Sequence, residues 1–365
     1  LSLEEARLKI NALDDEIVRL LDRRIEAARE AATAKIGLGL PLRDATREEE
    51  VIARLTKRRS GMFTRRSLEN IYRTIMAETL ALEKMAACPT PTGTANGKRD
   101  IKAEIIESAK VAPGFFRMRI AAPELSDAFQ PGQFFQIRIG VEGDAPFLRR
   151  PFAPSETGPD GFAFIYAVVG GGTERLASLR PGTQVRVLAP LGNAYTLLFS
   201  PSSALIIGGG CGVPSLAPLA ERLKANGVLV TALIAARSSQ VLLEREAWDK
   251  RAANLILATD DGSFGRQGTA IDALREEVAE LGKFDRIYVC GPLPLLKATA
   301  TMAEESGVDC EVSLEERMAC GFGACIGCAV PVKDEKNGGG FLYQRVCHEG
   351  PVFNSRALAW ERMRS

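Results

Sequence analysis

Cys320-Gly321-Phe322-Gly323-Ala324-Cys325-Ile326-Gly327-Cys328, with Cys347 a further 19 positions on, is the stretch on which the reading of this 365-residue chain turns. Three cysteines separated by four and then two residues, completed by a distant fourth, match the plant-type spacing in which four thiolates hold a [2Fe-2S] cluster. Structural zinc is the competing reading. A zinc ribbon usually supplies two close cysteine pairs, whereas here only Cys325 and Cys328 form one. Four unrelated thiols are the third reading. Gly321, Gly323 and Gly327 favour the cluster, because a loop wrapping one needs unusual backbone angles and must bring N–H groups close to sulfur.

Downstream, Ala329 to Lys333 and Phe341 to Val346 are predicted to pair as a hairpin across Asp334 to Gly340, which carries Cys347 back to the other three thiols. His348 follows directly, but a Rieske-type role would need two histidines, so it is expected to be an exposed neighbour. Upstream, Ala204 to Ile207 reads as a short buried strand running into Gly208-Gly209-Gly210-Cys211-Gly212-Val213-Pro214 and a helix from Ser215 to Asn226. Further strands at Val228 to Ala235, Leu255 to Thr259 and Arg286 to Cys290 alternate with helices, which indicates an α/β doubly wound parallel sheet. The glycines let backbone approach a pyrophosphate at a helix N-terminus. Cys290-Gly291-Pro292 ends another strand at the same sheet edge, where ligands of such sheets bind. Cys211 and Cys290 themselves read as small buried residues.

Before that region, short runs at Lys102 to Ile106, Phe115 to Ile120, Phe134 to Ile139, Phe162 to Val169 and Gln184 to Val187 are punctuated by Pro131-Gly132 and Pro181-Gly182. They predict a small antiparallel β-barrel. Within it lie Arg149-Arg150-Pro151-Phe152-Ala153 and Gly170-Gly171-Gly172-Thr173, the latter opening a helical Glu174 to Leu179. Arginine beside a helix N-terminus is a way to hold a diphosphate, although either motif alone reads as a plain turn.

The first 87 residues are different. Leu3, Ala6, Ile10, Leu13, Ile17 and Leu20 recur at spacings of three and four after the capping box Ser2-Leu3-Glu4-Glu5, which predicts a long helix with a partner-facing seam. Arg24 stands on that seam and Lys35 at its margin. At about 100° per residue the two return to within roughly 20° of each other, so both cations share a face and call for an anion. Structural ion pairs inside a helical bundle explain them equally well. Gly37, Gly39 and Pro41 break the helix, Arg43 to Glu48 opens a second, and Ser67 to Met85 forms a third. Asp44, Arg47 and Glu48 share a face, as do Thr79 and Glu83. Cys88 to Gly97, rich in Pro, Thr and Gly, reads as a tether.

The totals exclude several classes of function. Lys plus Arg (47) nearly cancels Asp plus Glu (46), so nothing global points to nucleic acid or an anionic membrane. No apolar run approaches the length of a spanning helix, no signal-peptide core opens the sequence, and the four cysteines outside the loop (Cys88, Cys211, Cys290, Cys310) are scattered. A cytoplasmic protein is expected. His348 is the only histidine, so histidine acid/base catalysis has almost nowhere to act.

Residues 1–87 resemble the all-helical chorismate mutases, through Arg7, Arg24, Lys35, Arg43-Asp44, Arg47-Glu48, and Ile75-Met76 leading to Thr79 and Glu83. That resemblance implies rearrangement of chorismate, a dicarboxylate, to prephenate in one pericyclic step. Arg24 and Arg47 would hold carboxylates, Lys35 would donate to the ether oxygen, and Glu48 would take the substrate hydroxyl. Arg7 would come from the partner of an interlocked homodimer; it lies about 100° around the helix from Arg24. Arg150 to Ala153 resembles the flavin motif of the ferredoxin-reductase superfamily, with Ala153 replacing the usual hydroxyl residue. This implies FAD, with Ile165, Tyr166 and Ala167 along the ring and Gly172 and Thr173 at the phosphates.

The region from 101 to 356 resembles the electron-transfer subunit of the NAD-dependent class of dihydroorotate dehydrogenase. The carrying residues are Arg150-Pro151, Gly208 to Pro214, Ser313 to Cys320, Val346-Cys347 and Gly350 to Phe353. The resemblance implies an FMN-containing catalytic partner subunit and a path through [2Fe-2S] and FAD to NAD, with Cys290 to Pro292 near the nicotinamide. The expected architecture is multidomain: an all-α domain 1–87, a linker 88–100, an FAD-binding β-barrel 101–198, an NAD-binding α/β domain 199–312 and a small cluster domain 313–365. A different NAD(P)H and ferredoxin couple, with a non-catalytic helical dimerisation domain, is the alternative.

Glu83 stands where many of those mutases carry Gln, and it must be protonated to donate to the ether oxygen, which requires burial to raise its pKa. Mutase activity is therefore expected to fall as pH rises above neutrality, and Glu83→Gln to flatten the profile. An unchanged profile in the variant, measured by chorismate loss, contradicts this role.

Overall fold

The computed structural model describes residues 3–37, 45–57, 64–65, 68–69, 71–73, 75–76, 79, 97–139, 147–277, 283–334 and 340–363. The chain forms two compact units, Leu1–Ala95 and Asn96–Ser365. Among the described residues no helix is long and apolar enough to cross a membrane.

In the first unit, the three-four repeat produces helix α1 (Leu3–Gly37), followed by α2 (Ala45–Lys57). Helical residues from Arg65 to Thr79 mark the third segment. Arg73 donates to Glu49 at 2.9 Å and ties this segment to α2. Ile52 and Thr79 are buried, whereas the α1 seam of Ile10, Leu13, Ile17 and Leu20 is more than half exposed in the single chain. Asp44, Glu83 and the tether from 88 to 96 lie outside the described residues, as do the side chains of Lys35 and Glu48.

The second unit opens with seven strands: β1 (Arg99–Ala112), β2 (Phe115–Ala121), β3 (Phe134–Arg138), β4 (Arg150–Phe152), β5 (Glu156–Gly158), β6 (Gly161–Ala167) and β7 (Gln184–Leu191). They form one antiparallel sheet in the order β4-β3-β7-β1-β2-β6-β5. The pattern of short apolar runs foreshadows the longer strands. Among the described residues the sheet ends, β4 and β5, are not paired with each other. Alternation sends Phe135 and Ile137 of β3 into a core with Ile105, Met118, Phe162, Phe164 and Val187. Phe134, on the opposite face of the same strand, joins the core of the next sheet.

That next sheet runs β11-β10-β9-β8-β12-β13-β16. Its strands are β8 (Ser203–Gly209), β9 (Leu229–Ala236), β10 (Asn254–Thr259), β11 (Arg266–Gln267), β12 (Arg286–Cys290), β13 (Cys310–Ser313) and β16 (Val352–Asn354). All pairs are parallel except β13 with β16. Leu205 and Ile207 pack on one face with Ala273, Leu274 and Leu295. Ala204 and Ile206 pack on the other with Leu219, Leu223 and Trp248. Helices thus cover both faces, which is why these strands read as continuous apolar runs. The order reverses between β8 and β12, opening a crevice at their C-terminal ends.

The cluster segment is sewn into this sheet. It leaves from β13, forms the cysteine loop and the hairpin of β14 (Ala329–Asp334) and β15 (Gly340–Arg345), and returns as β16 beside β13, with Val312 opposite Phe353. The expected boundary between 312 and 313 falls inside β13. Arg345 fastens the return: it donates from its backbone N at 2.7 Å and from Nε at 3.0 Å to Glu349 Oε2, and from Nη1 at 2.6 Å to Gly323 O.

The hydrogen bonds from Arg345 hold the Glu349 carboxyl down at about 2. A depressed folded-state pKa means that the stabilisation is complete above the ordinary carboxylate range and is lost as pH falls toward that value. Thermal melting of the parent is expected to fall more steeply than that of Glu349→Gln between pH 5 and pH 2.5. Parallel slopes contradict the role of this pair.

Candidate functional site

Three neighbouring cradles in the second unit are built from the motifs of the sequence. In the cysteine loop, Gly321 (φ 76°), Gly323 (φ 97°) and the non-glycine Ile326 (φ 58°) adopt left-handed backbone, turning N–H groups inward. Cys328 and Cys347 are buried, Cys320 is half-buried and Cys325 is exposed. Cys320 lies beside Cys325 and Cys328 beside Cys347, and Cys320 also acts electrostatically on Cys347. Ala324 N donates to Cys320 Sγ at 3.3 Å, and Cys347 N to Cys328 Sγ at 3.4 Å. Burial works against ionisation of Cys320, but N–H donors from Phe322, Cys325 and Ala324 outweigh it and hold the thiol down at about 6. Burial and the adjacent Cys328 push Cys347 up to about 12.

Two thiol pairs match the needs of a two-iron cluster, with two thiolates for each iron. His348 is half-exposed and its Nδ1 lies 3.0 Å from Glu349 Oε1.

The flavin cradle joins β4 to the helix α3 (Gly171–Ser178). The Arg150 guanidinium lies so close to Gly172 that a Cβ there would collide with it, so the two motifs meet in space. Thr173 lies in the first turn of this helix. Its Oγ1 accepts from Val169 N at 2.8 Å and Gly170 N at 3.2 Å and donates to Gly170 O at 2.9 Å, so the hydroxyl is used in forming the turn. Phe152 packs against Phe164 and Tyr166, with centroids 5.0 and 5.4 Å away. Pro151 sits opposite Gln136 in the ladder, and Ala153 follows half-buried. Ile165 and Ala167 are half-buried on one face of β6. Tyr166 points the other way; burial raises its phenol, and the OH has no partner among the described residues.

At the end of β8, Gly208 faces Cys290 across the β8–β12 ladder. A Cβ on Gly212 would collide with the Cys290 carbonyl, and one on Gly209 would press on Leu295 and Pro292. Glycine is thus required for the turn at 208–212 to touch Cys290-Gly291-Pro292. Ser215 Oγ lies 3.4 Å from Cys290 Sγ, and burial pushes that thiol up to about 12, so it is a neutral neighbour. The Ala167 backbone faces Cys211, so the flavin strand lies beside the glycine turn. Glu315 acts electrostatically on both Cys211 and Cys290, a placement that sequence spacing does not reveal.

The sequence also gives no sign of Gln136. It is fully buried, its carboxamide lies against Gly321 of the cysteine loop, and neither Nε2 nor Oε1 has a partner among the described residues. Such a group costs about 1–3 kcal/mol when left unsatisfied.

In the first unit the structure brings together two of the expected residues whose side chains are described. Arg24 Nη1 donates to Thr79 Oγ1 at 2.5 Å, and Thr79 donates to Ile75 O at 2.6 Å. Arg7 is exposed, and Arg47 donates to Glu50 at 2.9 Å. Lys35, Asp44, Glu48 and Glu83 are those already named as lying outside the described side chains.

Known proteins match both units. The family model of type II chorismate mutase matches residues 6–84, and that of the iron-sulfur cluster binding domain of dihydroorotate dehydrogenase B matches 315–359. The electron transfer subunit of dihydroorotate dehydrogenase B (NAD(+)) from Desulforamulus reducens is 37% identical over 261 residues, covering 71% of this chain and 98% of that protein. Its counterpart from Fusobacterium nucleatum is 35% identical over 252 residues, covering 68% and 93%. Among solved structures, one of the NADH-dependent reduced ferredoxin-NADP oxidoreductase aligns with a TM-score of 0.63 and 31% identity over 71% of this chain and 90% of that one. With its two thiol pairs set beside a flavin cradle and a glycine turn, the chain belongs to the family of dihydroorotate dehydrogenase B (NAD(+)) electron transfer subunits, and it carries a type II chorismate mutase domain at its N-terminal end.

Proposed function

We propose that this is a bifunctional cytoplasmic protein whose second unit links an FMN-containing dihydroorotate dehydrogenase catalytic subunit to NAD+, and whose first unit converts chorismate to prephenate. The observation that carries the redox half is the adjacency, in one compact unit, of the paired thiols, the Arg150–Gly172 cradle and the Gly212–Cys290 turn. When bound, the [2Fe-2S] cluster, FAD and NAD supply one-electron, two-electron and hydride chemistry between the two substrates. Cys320, Cys325, Cys328 and Cys347 hold the cluster. Arg150 and the α3 N-terminus neutralise the flavin diphosphate, while Pro151, Phe152, Ala153 and the 165–167 strand shape its ring site. Gly208, Gly209, Gly210 and Gly212 admit the nucleotide pyrophosphate, with Cys290, Gly291 and Pro292 at the nicotinamide end. The domain limits are those read from the sequence, with the nucleotide and cluster parts sharing one sheet.

In the mutase half, Arg24, held by buried Thr79, presents a fixed cation to a substrate carboxylate. Arg47, Lys35, Glu48 and Glu83 complete the clamp. Arg7 enters from a second copy, and the exposed seam of α1 supports a homodimer built through this domain. The similarity to the NADH-dependent ferredoxin-NADP oxidoreductase favours a second reading, in which the redox unit serves a ferredoxin couple and the helical domain only dimerises.

Copurification distinguishes the two. The first reading expects the chain to retain a dihydroorotate-oxidising flavoprotein and to consume chorismate; a ferredoxin-linked partner with no chorismate loss supports the second. Gly212→Ala is expected to keep flavin and cluster absorption and reduction by dithionite, yet to slow bleaching of the flavin by NADH at least roughly tenfold through displacement of the turn. Unchanged NADH bleaching contradicts the nucleotide assignment.

A further inference from the structure

We infer that Gln136, a residue of the flavin-side strand β3, donates its carboxamide N–H to the sulfur edge of the cluster and thereby sets how readily the cluster is reduced. The inference rests on the reading that the four thiolates hold a two-iron cluster. Gln136 is 0% exposed, lies on the β3 face opposite Phe135 and Ile137, and reaches out of the flavin-domain core to the cysteine loop. A Cβ on Gly321 would collide with Gln136 Nε2 and Cδ, so the amide occupies the space that any other residue after Cys320 would fill. Both amide atoms are without partners among the described residues, and buried carboxamides in folded proteins are almost always satisfied.

Among the described residues, its ladder partners do not meet that need. Gln136 lies opposite Pro151 on β4, and Pro has no N–H; Leu188 of β7, opposite on the other side, has an apolar side chain. The adjacent recess is lined by Cys320, Phe322, Arg138 and Arg149, so the cysteine loop abuts this edge of the sheet at more than one residue. Nε2 has no acceptor among the described residues, and a sulfur of a cluster held by the adjoining cysteine loop would supply one. A hydrogen bond to cluster sulfur favours the more negative reduced form and raises its potential. Because Gln136 and Arg150 belong to paired strands, one short ladder would both anchor the flavin diphosphate and tune the neighbouring electron carrier.

The test uses the full chain reconstituted anaerobically with iron, sulfide and FAD. Gln136→Met preserves size and removes the donor. It is expected to retain cluster and flavin absorption, to lower the equilibrium constant for cluster reduction by roughly three- to tenfold, and to lose an exchangeable-proton coupling seen by ENDOR in the reduced parent. Should Gln136→Met not assemble, parent protein with 15N-labelled glutamine side-chain amides decides alone: a 15N coupling to the reduced cluster supports the assignment and its absence overturns it. A parent lacking any two-iron signal overturns the cluster reading and this inference with it. A normal cluster whose potential and ENDOR spectrum ignore the substitution overturns the inference only.

Discussion

The pairing of β13 with β16, which places Val312 opposite Phe353, is the constraint on which the redox unit depends. Between those strands the chain makes an excursion containing all four cysteines, and antiparallel pairing obliges it to return where it left. A loop of this length pays little extra closure entropy once its ends are fixed. The Arg345 hydrogen bonds to Glu349 and Gly323 then fold the returning strand onto the loop. Cys328 and Cys347 consequently belong to the same core as Leu205, Ile207 and Phe134. The cysteine segment begins and ends in the nucleotide sheet, and two of its four thiols are held in that sheet's core.

The same geometry explains why three cofactor sites fit in one unit. β3 is buried on both faces, with Phe135 and Ile137 in the flavin-domain core and Phe134 in the nucleotide-domain core. A strand shared in this way removes the freedom of one domain to slide on the other. At the other margin, the Ala167 backbone reaches Cys211 and Gly212 touches Cys290. Close backbone approach at both contacts requires small residues, and glycine at 212 is the direct expression of that requirement.

Much of this was legible in the sequence because the signals are local. The three-four repeat of α1, the strand-turn-helix at Ala204 to Pro214 and the hairpin after Cys328 each lie within one stretch of chain. The unread features are those that depend on distant partners. β4 and β5 have three residues each, too few for a periodicity, and β16 exists only because β13 waits some 40 residues upstream. The part the Thr173 hydroxyl plays in the turn is likewise invisible in the sequence. Gln136 sits in Phe-Phe-Gln-Ile, where alternation makes a polar residue look solvated; only the loop packed on it shows otherwise. In the helical unit, spacing put Arg24 on the seam of one helix and Thr79 on the face of another, and only the structure shows the hydrogen bond between them.

The most direct measurement of the central claim is the iron, sulfide and flavin content of the purified chain, taken together with its visible and reduced-state EPR spectra. The account predicts two irons, two sulfides and one FAD per chain, with an EPR signal of a two-iron cluster on reduction. A single zinc, or a chain with neither iron nor flavin, would contradict it.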